Sequence, residues 1–214
     1  MNHSIIALAM NGDPESQYAL AEMLFDDENV NNYGERSAIW YAKAAEQGHA
    51  EAQSMLGCLY FYGCGVEGDY KKAVYWLRKA AAQGIEEAEE KLIVAIERLA
   101  GEYYDLKKYE DAFSLYREAA EKGMFNETYA ILCRLASMYY DGYGTEKNFR
   151  EAYIWYYVCY LEYGETEEIM LGLNRVKGCL SEQEIEEAKS QAQEKKEEIF
   201  GPDEDYELFL HDED

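Results

Sequence analysis

The 214-residue chain holds only two prolines, Pro14 and Pro202, and three histidines, at its two ends and at His49. So few prolines leave long stretches free to form uninterrupted helix. No apolar run approaches the roughly 20 residues of a membrane-spanning helix. The apolar stretch near the amino terminus is too short for a signal peptide and lacks a basic segment before it. Five cysteines, at positions 58, 64, 133, 159 and 179, have no paired spacing. Unpaired cysteines embedded in helices fit a reducing, cytoplasmic setting. No group of His, Cys and acidic residues has metal-ligand spacing, and neither metal nor cofactor is expected.

Cations are scarce as well. Twenty Lys and Arg stand against 44 Asp and Glu, for a net charge of −24. Residues 1–100 hold 16 acids and 8 bases (−8), and residues 101–214 hold 28 and 12 (−16). A phosphate backbone would be repelled, which excludes nucleic acid as a ligand class. A basic protein or peptide is favoured, with electrostatically steered association. An acidic surface also serves solubility alone, and charge does not decide between the two.

What the chain does have is a repeat. Trp40, Ala44, Ala45 and Gly48 recur thirty-six residues later as Trp76, Ala80, Ala81 and Gly84. Looser copies end at Gly123 and Gly164, the last built around Trp155. Each copy reads as the second helix, B, of a helical hairpin. A first helix, A, precedes each and carries Leu, a small residue, then a large apolar one three further on. The copies are Leu20-Ala21 with Leu24, Leu56-Gly57 with Tyr60, Leu99-Ala100 with Tyr103, and Leu135-Ala136 with Tyr139. Apolar positions three and four apart share a helical face, and the small residue lets helix B approach. Gly48, Gly84 and Gly123 sit where a left-handed cap ends helix B. Asp69 and Asn148 are placed to N-cap helix B of the second and fourth repeats.

The string from Ala52 through Leu56, Gly57, Tyr60, Gly63, Gly65, Asp69, Ala73, Trp76 and Ala80 to Gly84 resembles the Sel-one-like repeat (SLR) family, a variant of the tetratricopeptide repeat. The resemblance covers roughly residues 5–164. It implies an all-α fold, a right-handed superhelix of antiparallel helix pairs whose A helices line a concave face. Four repeats are expected at 13–48, 49–84, 85–123 and 124–164, after an amino-terminal half-repeat. Capping helices follow over 165–200, the second opened by Ser181 and Glu184 in capping-box spacing. Repeat one lacks the glycine loop, and repeat three has a long helix A from about Ala88 to Tyr104. Residues 201–214 form an acidic tail that is either disordered or a docking motif. Secreted SLR proteins carry a disulfide in each repeat, and that pattern is missing here.

Chemical motifs are few. Gly63-x-Gly65-x-x-Gly68 matches a dinucleotide pattern but follows a helix instead of a strand, so it reads as the hairpin loop. Asn126 begins a glycosylation sequon, irrelevant in a cytoplasmic chain. No nucleophile with its base and orienting group is apparent. The recognition face is expected on the A helices, just beyond the packing aromatic. There Phe25, Phe61, Tyr104 and Tyr140 are followed by Asp26, Tyr62, Asp105 and Asp141. Aromatic rings beside aspartates suit Lys or Arg side chains. Glu15, Tyr18, Glu22, Glu51, Ser54, Cys58, Glu97, Cys133 and Ser137 complete the candidate face.

The function expected from these features is a non-enzymatic protein-interaction module, more readily monomeric than not. Its most specific form is an immunity or inhibitor protein that neutralises a basic toxin such as a nuclease. A general cytoplasmic adaptor is the alternative, and a hydrolase of the kind proposed for secreted relatives is the outsider. Trp40, Trp76 and Trp155 are expected to anchor the B helices.

Overall fold

In a computed structural model of the chain, residues 2–25, 33–122 and 128–202 are described. Among them are eleven α-helices and no strand. After α1 (Asn2–Met10) come A/B pairs: α2 (Pro14–Phe25) with α3 (Tyr33–Glu46), and α4 (Ala50–Tyr62) with α5 (Tyr70–Ala81). The long α6 (Glu86–Asp105) precedes α7 (Tyr109–Lys122), and α8 (Thr128–Asp141) pairs with α9 (Phe149–Tyr163). The chain closes with α10 (Glu167–Lys177) and α11 (Glu182–Phe200). It forms two compact units, Met1–Glu102 and Tyr103–Asp214, divided inside α6. Gly123, the sequon asparagine Asn126 and tail residues 203–214 lie outside the described residues.

The punctuation of these helices follows local chemistry. Asp69 and Asn148 accept the amides of Lys72 and Glu151 at the starts of α5 and α9. Ser181 and Glu184 close a full capping box on α11. The Ser181 bonds hold the Glu184 carboxyl below the usual carboxylate range.

The small residue of the second repeat's A helix does steric work. A Cβ on Gly57 would lie 2.7 Å from Leu77 Cγ, so α5 seats directly on the α4 backbone. The hairpin loops serve a second contact. Gly65 lies so close to Gly34, at the start of α3, that a Cβ would overlap its backbone. Gly144 stands in the same relation to the Tyr109 carbonyl at the start of α7. The second loop glycine is therefore the point where one hairpin's loop rests on a preceding B helix.

A polar interlock repeats with the same period. Buried Gln17 donates to the Ala9 carbonyl (3.1 Å) and accepts from Gln47 (2.7 Å). Thirty-six residues on, buried Gln53 donates to the Ala45 carbonyl (3.0 Å) and accepts from Gln83 (2.8 Å). Each glutamine adds a second bond to a last-turn carbonyl of the helix before its own, which also accepts the amide of the glycine that follows that helix. Gln53→Ala should cost about 1–3 kcal/mol in urea denaturation, because a buried side chain gives up two hydrogen bonds that tie it to the preceding helix and to Gln83. A loss below 0.5 kcal/mol, the ordinary range for a surface change, would show that the interlock does not stabilise the stack.

In the second unit α11 lies along α9. Ile185, Ala188 and Ala192 form its thin buried apolar stripe. Lys196 is buried too and reaches Glu162 (3.9 Å), while Arg150 pairs with Glu187 (3.2 Å). Lys195 Nζ lies 4.6 Å from the Trp155 ring, which is 2% exposed. The three tryptophans are therefore not equivalent. Trp40 and Trp76 are only half-buried and flank the core made by Tyr41, Ala44, Leu56 and Leu59. The full anchoring role expected of all three belongs to Trp155 alone.

Candidate protein-binding surface

Tyr18 of α2 is the centre of the expected face in the first unit. His49, just before α4, stacks on its ring at 4.7 Å between centroids. The His49 imidazole accepts the Ala52 amide through Nδ1 and contacts Glu15 through Nε2 at 3.1 Å. One ring thus caps α4 and orients a carboxylate of α2. The phenol of Tyr18 is raised above its ordinary value, first by burial and then by Glu22, Glu51, Glu15 and Glu87. Those four carboxylates belong to α2, α4 and α6, and Glu15 and Glu51 both contact the His49 imidazole, at 3.1 and 3.3 Å. Glu15, Glu51 and Glu87 are exposed there. Glu22 is tied back by the Tyr41 hydroxyl.

The aromatic row has a different primary role from the expected one. Phe61 packs on Tyr70 (5.5 Å), Tyr104 on Tyr109 (5.3 Å) and Tyr140 on Phe149 (5.3 Å). In each pair the ring ending helix A meets the first ring of its own helix B, so the row staples the hairpins. Phe25 meets Tyr41 edge-on at 6.5 Å. Tyr62, 66% exposed, is the ring of this set that faces solvent most openly.

In the second unit the ring-plus-aspartate sites do take cations, but from the chain itself. The Arg175 guanidinium lies 4.0 Å from the Tyr140 ring and 3.1 Å from Asp141. Arg134 lies 4.9 Å from the Tyr104 ring. Tyr140 and Asp141 are thus engaged internally, and Asp105 is exposed. Ser137 turns its hydroxyl back to the Arg134 carbonyl (2.8 Å).

Other candidates are displaced by burial. Ser54 and Cys133 are 6% and 3% exposed and belong to helix packing, not to an accessible face. Cys133 Sγ stands 3.6 Å from Cys159 Sγ, a proximity that the 26-residue separation does not disclose. Both thiols are free, and the Cys159 thiol is pushed far up by its bond to Cys133 and by burial. Burial likewise raises the half-buried Cys58. Glu97 is half-buried on α6. Asp26 lies outside the described residues. The repeat pattern does not select His49, Glu87, Arg134 or Arg175 as face residues. Only His49 carried a signal, following the repeat glycine where an N-cap is needed.

No described His, Cys, Asp and Glu group could hold a metal ion. An open cavity of about 640 Å³ lies at the start of α7, lined by Lys107 and Lys108 together with Glu110, Asp111 and Glu146. Its charge is mixed, and it is made by hairpin loops of the second unit. No described helix is long and apolar enough to cross a membrane.

Paired helices, glycine-capped B helices and a carboxylate-rich A-helix face define a helical-hairpin repeat protein of the protein-interaction class. The Sel1 repeat model matches residues 14–49, 50–85, 94–124 and 132–157, and the chain belongs to the Sel1 repeat family. It is similar to a protective antigen with an SLR fold present in uropathogenic Escherichia coli strains: 29% identity, TM-score 0.51, covering 92% of this chain and 41% of the antigen. The chain therefore spans about two-fifths of that relative. A Sel1 repeat protein from Oxalobacter formigenes shares 25% identity over 88% of this chain and 74% of its own, at TM-score 0.46. An immunity protein from Pseudomonas aeruginosa shares 22% over 88% and 82%, at TM-score 0.32. No curated protein matches the chain.

Proposed function

We propose that the chain is a non-enzymatic binding module that takes a basic protein or peptide at the A-helix face of its first unit. The observation that carries this reading is the cluster at Tyr18, where His49 stacks on the ring at 4.7 Å and holds the carboxylates of Glu15 at 3.1 Å and Glu51 at 3.3 Å. A lysine or arginine seated there would meet an aromatic ring and several carboxylates at once, the combination that favours charge-assisted bonds and cation–π contact. The Arg175–Tyr140–Asp141 site supports the chemistry from within the chain. The most specific form of the reading is an immunity or inhibitor protein that neutralises a basic toxin in the cytoplasm, which the net charge of −24 suits. It requires neither metal nor cofactor. The second reading, a general adaptor, is favoured by the internal use of Tyr140 and Asp141, which leaves fewer open sites.

The test is capture from a lysate of the source organism by tagged protein at low and near-molar salt, with mass spectrometry. One basic protein should be retained in stoichiometric amount at low salt. Glu51→Lys combined with Glu87→Lys, both at exposed positions, should reduce its capture at least about tenfold, or roughly 1.4 kcal/mol. Many weakly held proteins of no basic character would favour the adaptor.

A further inference from the structure

The outer face of α5 differs in chemistry from everything else described in this acidic chain. Lys71, Lys72, Arg78 and Lys79 are all exposed on its twelve residues, which contain no acid. Four of the chain's 20 cations thus lie on one helix, in a molecule of net charge −24. Between them, Tyr75 is 51% exposed and Trp76 is half-buried. Lys79 Nζ lies 4.7 Å from the Tyr75 ring and 5.1 Å from the Trp76 ring. At helical spacing Lys71, Tyr75 and Arg78 form one row, with Lys72, Trp76 and Lys79 beside it. The result is an aromatic ledge edged with positive charge.

The repeat shows what such a ledge accepts. Trp155 of α9 occupies the position of Trp76, and there α11 lies along the helix and leaves Trp155 2% exposed. The cover is a helix with a thin apolar stripe (Ile185, Ala188, Ala192) that sets Lys195 over the tryptophan ring. On α5 that cation is already supplied by Lys79 of the ledge itself. A covering helix here needs the opposite charge.

We infer that the outer face of α5 docks an acidic amphipathic helix of a partner protein, with aromatic or leucine anchors at i, i+3 and i+4 over Tyr75 and Trp76. This surface is distinct from the Tyr18 face and of opposite sign. A chain using both would join a basic partner to an acidic one. Carboxylates of the docked helix pair with Lys71 and Lys79, Lys72 being already paired with Asp69 (3.4 Å), and its apolar anchors complete the cover that α11 provides on α9.

The probe is a fluorescent helical peptide with Leu and Phe anchors at that spacing and glutamates elsewhere. A control of the same composition has its anchors scattered. Fluorescence anisotropy with the full chain should show saturable binding of the probe, at least tenfold tighter than the control. Lys71→Glu with Lys79→Glu, or Tyr75→Ala alone, should each weaken it tenfold or more, with circular dichroism melts confirming that the variants fold. Glu51→Lys with Glu87→Lys should leave it unchanged, which separates failure of this surface from failure of the Tyr18 face. Equal binding of the control, or binding that survives the charge reversal, overturns the proposal. So does probe binding that appears only after residues 203–214 are deleted, which would make the chain's own acidic tail the occupant. A dimer that Tyr75→Ala dissociates in sedimentation would overturn it in favour of a second copy.

Discussion

Gly144→Ala should destabilise the protein by about 3–5 kcal/mol, among the largest losses expected of a single methyl group. Two effects combine at this position. Its φ of +73° is left-handed, which costs a residue bearing a Cβ roughly 1–2 kcal/mol. The added Cβ would also overlap the Tyr109 carbonyl, a backbone atom that cannot step aside without moving the start of α7. Gly142→Ala is the matched comparison. Its φ is +76°, but its Cβ would meet Lys147 Cγ at 2.8 Å, on a side chain that can swing away. It should lose only the backbone strain, about 1–2 kcal/mol. Urea denaturation of the two variants separates strain from close approach. Equal losses would mean that the loop does not bear on α7 as described.

Trp155→Ala should cost about 3–5 kcal/mol, since it empties a fully buried site between α9 and α11. Trp155→Phe should be far milder, within about 1.5 kcal/mol. The indole N–H is buried without a hydrogen-bond partner among the described residues, so removing it relieves a penalty as ring area is lost. Trp76→Ala belongs lower still than Trp155→Ala, at about 1–2 kcal/mol, because its half-exposed ring leaves less area to lose. Thermal or urea melts of the three variants rank them directly. A Trp76→Ala loss equal to that of Trp155→Ala would contradict the uncovered state of the α5 face.

Much of the hairpin architecture is legible in the residues because it is local. Asp69, Asn148 and Ser181 cap helices within three residues of themselves, so their roles follow from spacing. Gly48 and Gly84 follow helix B with φ of +95° and +84°, which an L side chain resists. The A-helix small residue at Gly57 was also legible, since close helix approach demands it. The proposed binding face is less so. A-helix phase selects Tyr18, Glu15, Glu22 and Glu51 but not His49, which stacks on Tyr18 and contacts Glu15 and Glu51. Ser54 and Cys133 share that phase but are buried, because a helix packed by neighbours on several sides has no single solvent face.

The amino-acid sequence by itself determined the helices, their caps and the repeat period. Each of these depends on side chains competing for backbone groups a few residues away, and that competition can be read along the chain. Only the tertiary structure decided which repeats are covered and which charges are already spoken for. Trp76 and Trp155 occupy the same repeat position, yet one is half-exposed and the other sealed by α11, a helix outside the repeat. Asp141 looked open to a partner and instead holds Arg175, 34 residues away. Which side chain reaches a given site across such distances is set by how helices stack, and stacking is a property of the assembled fold.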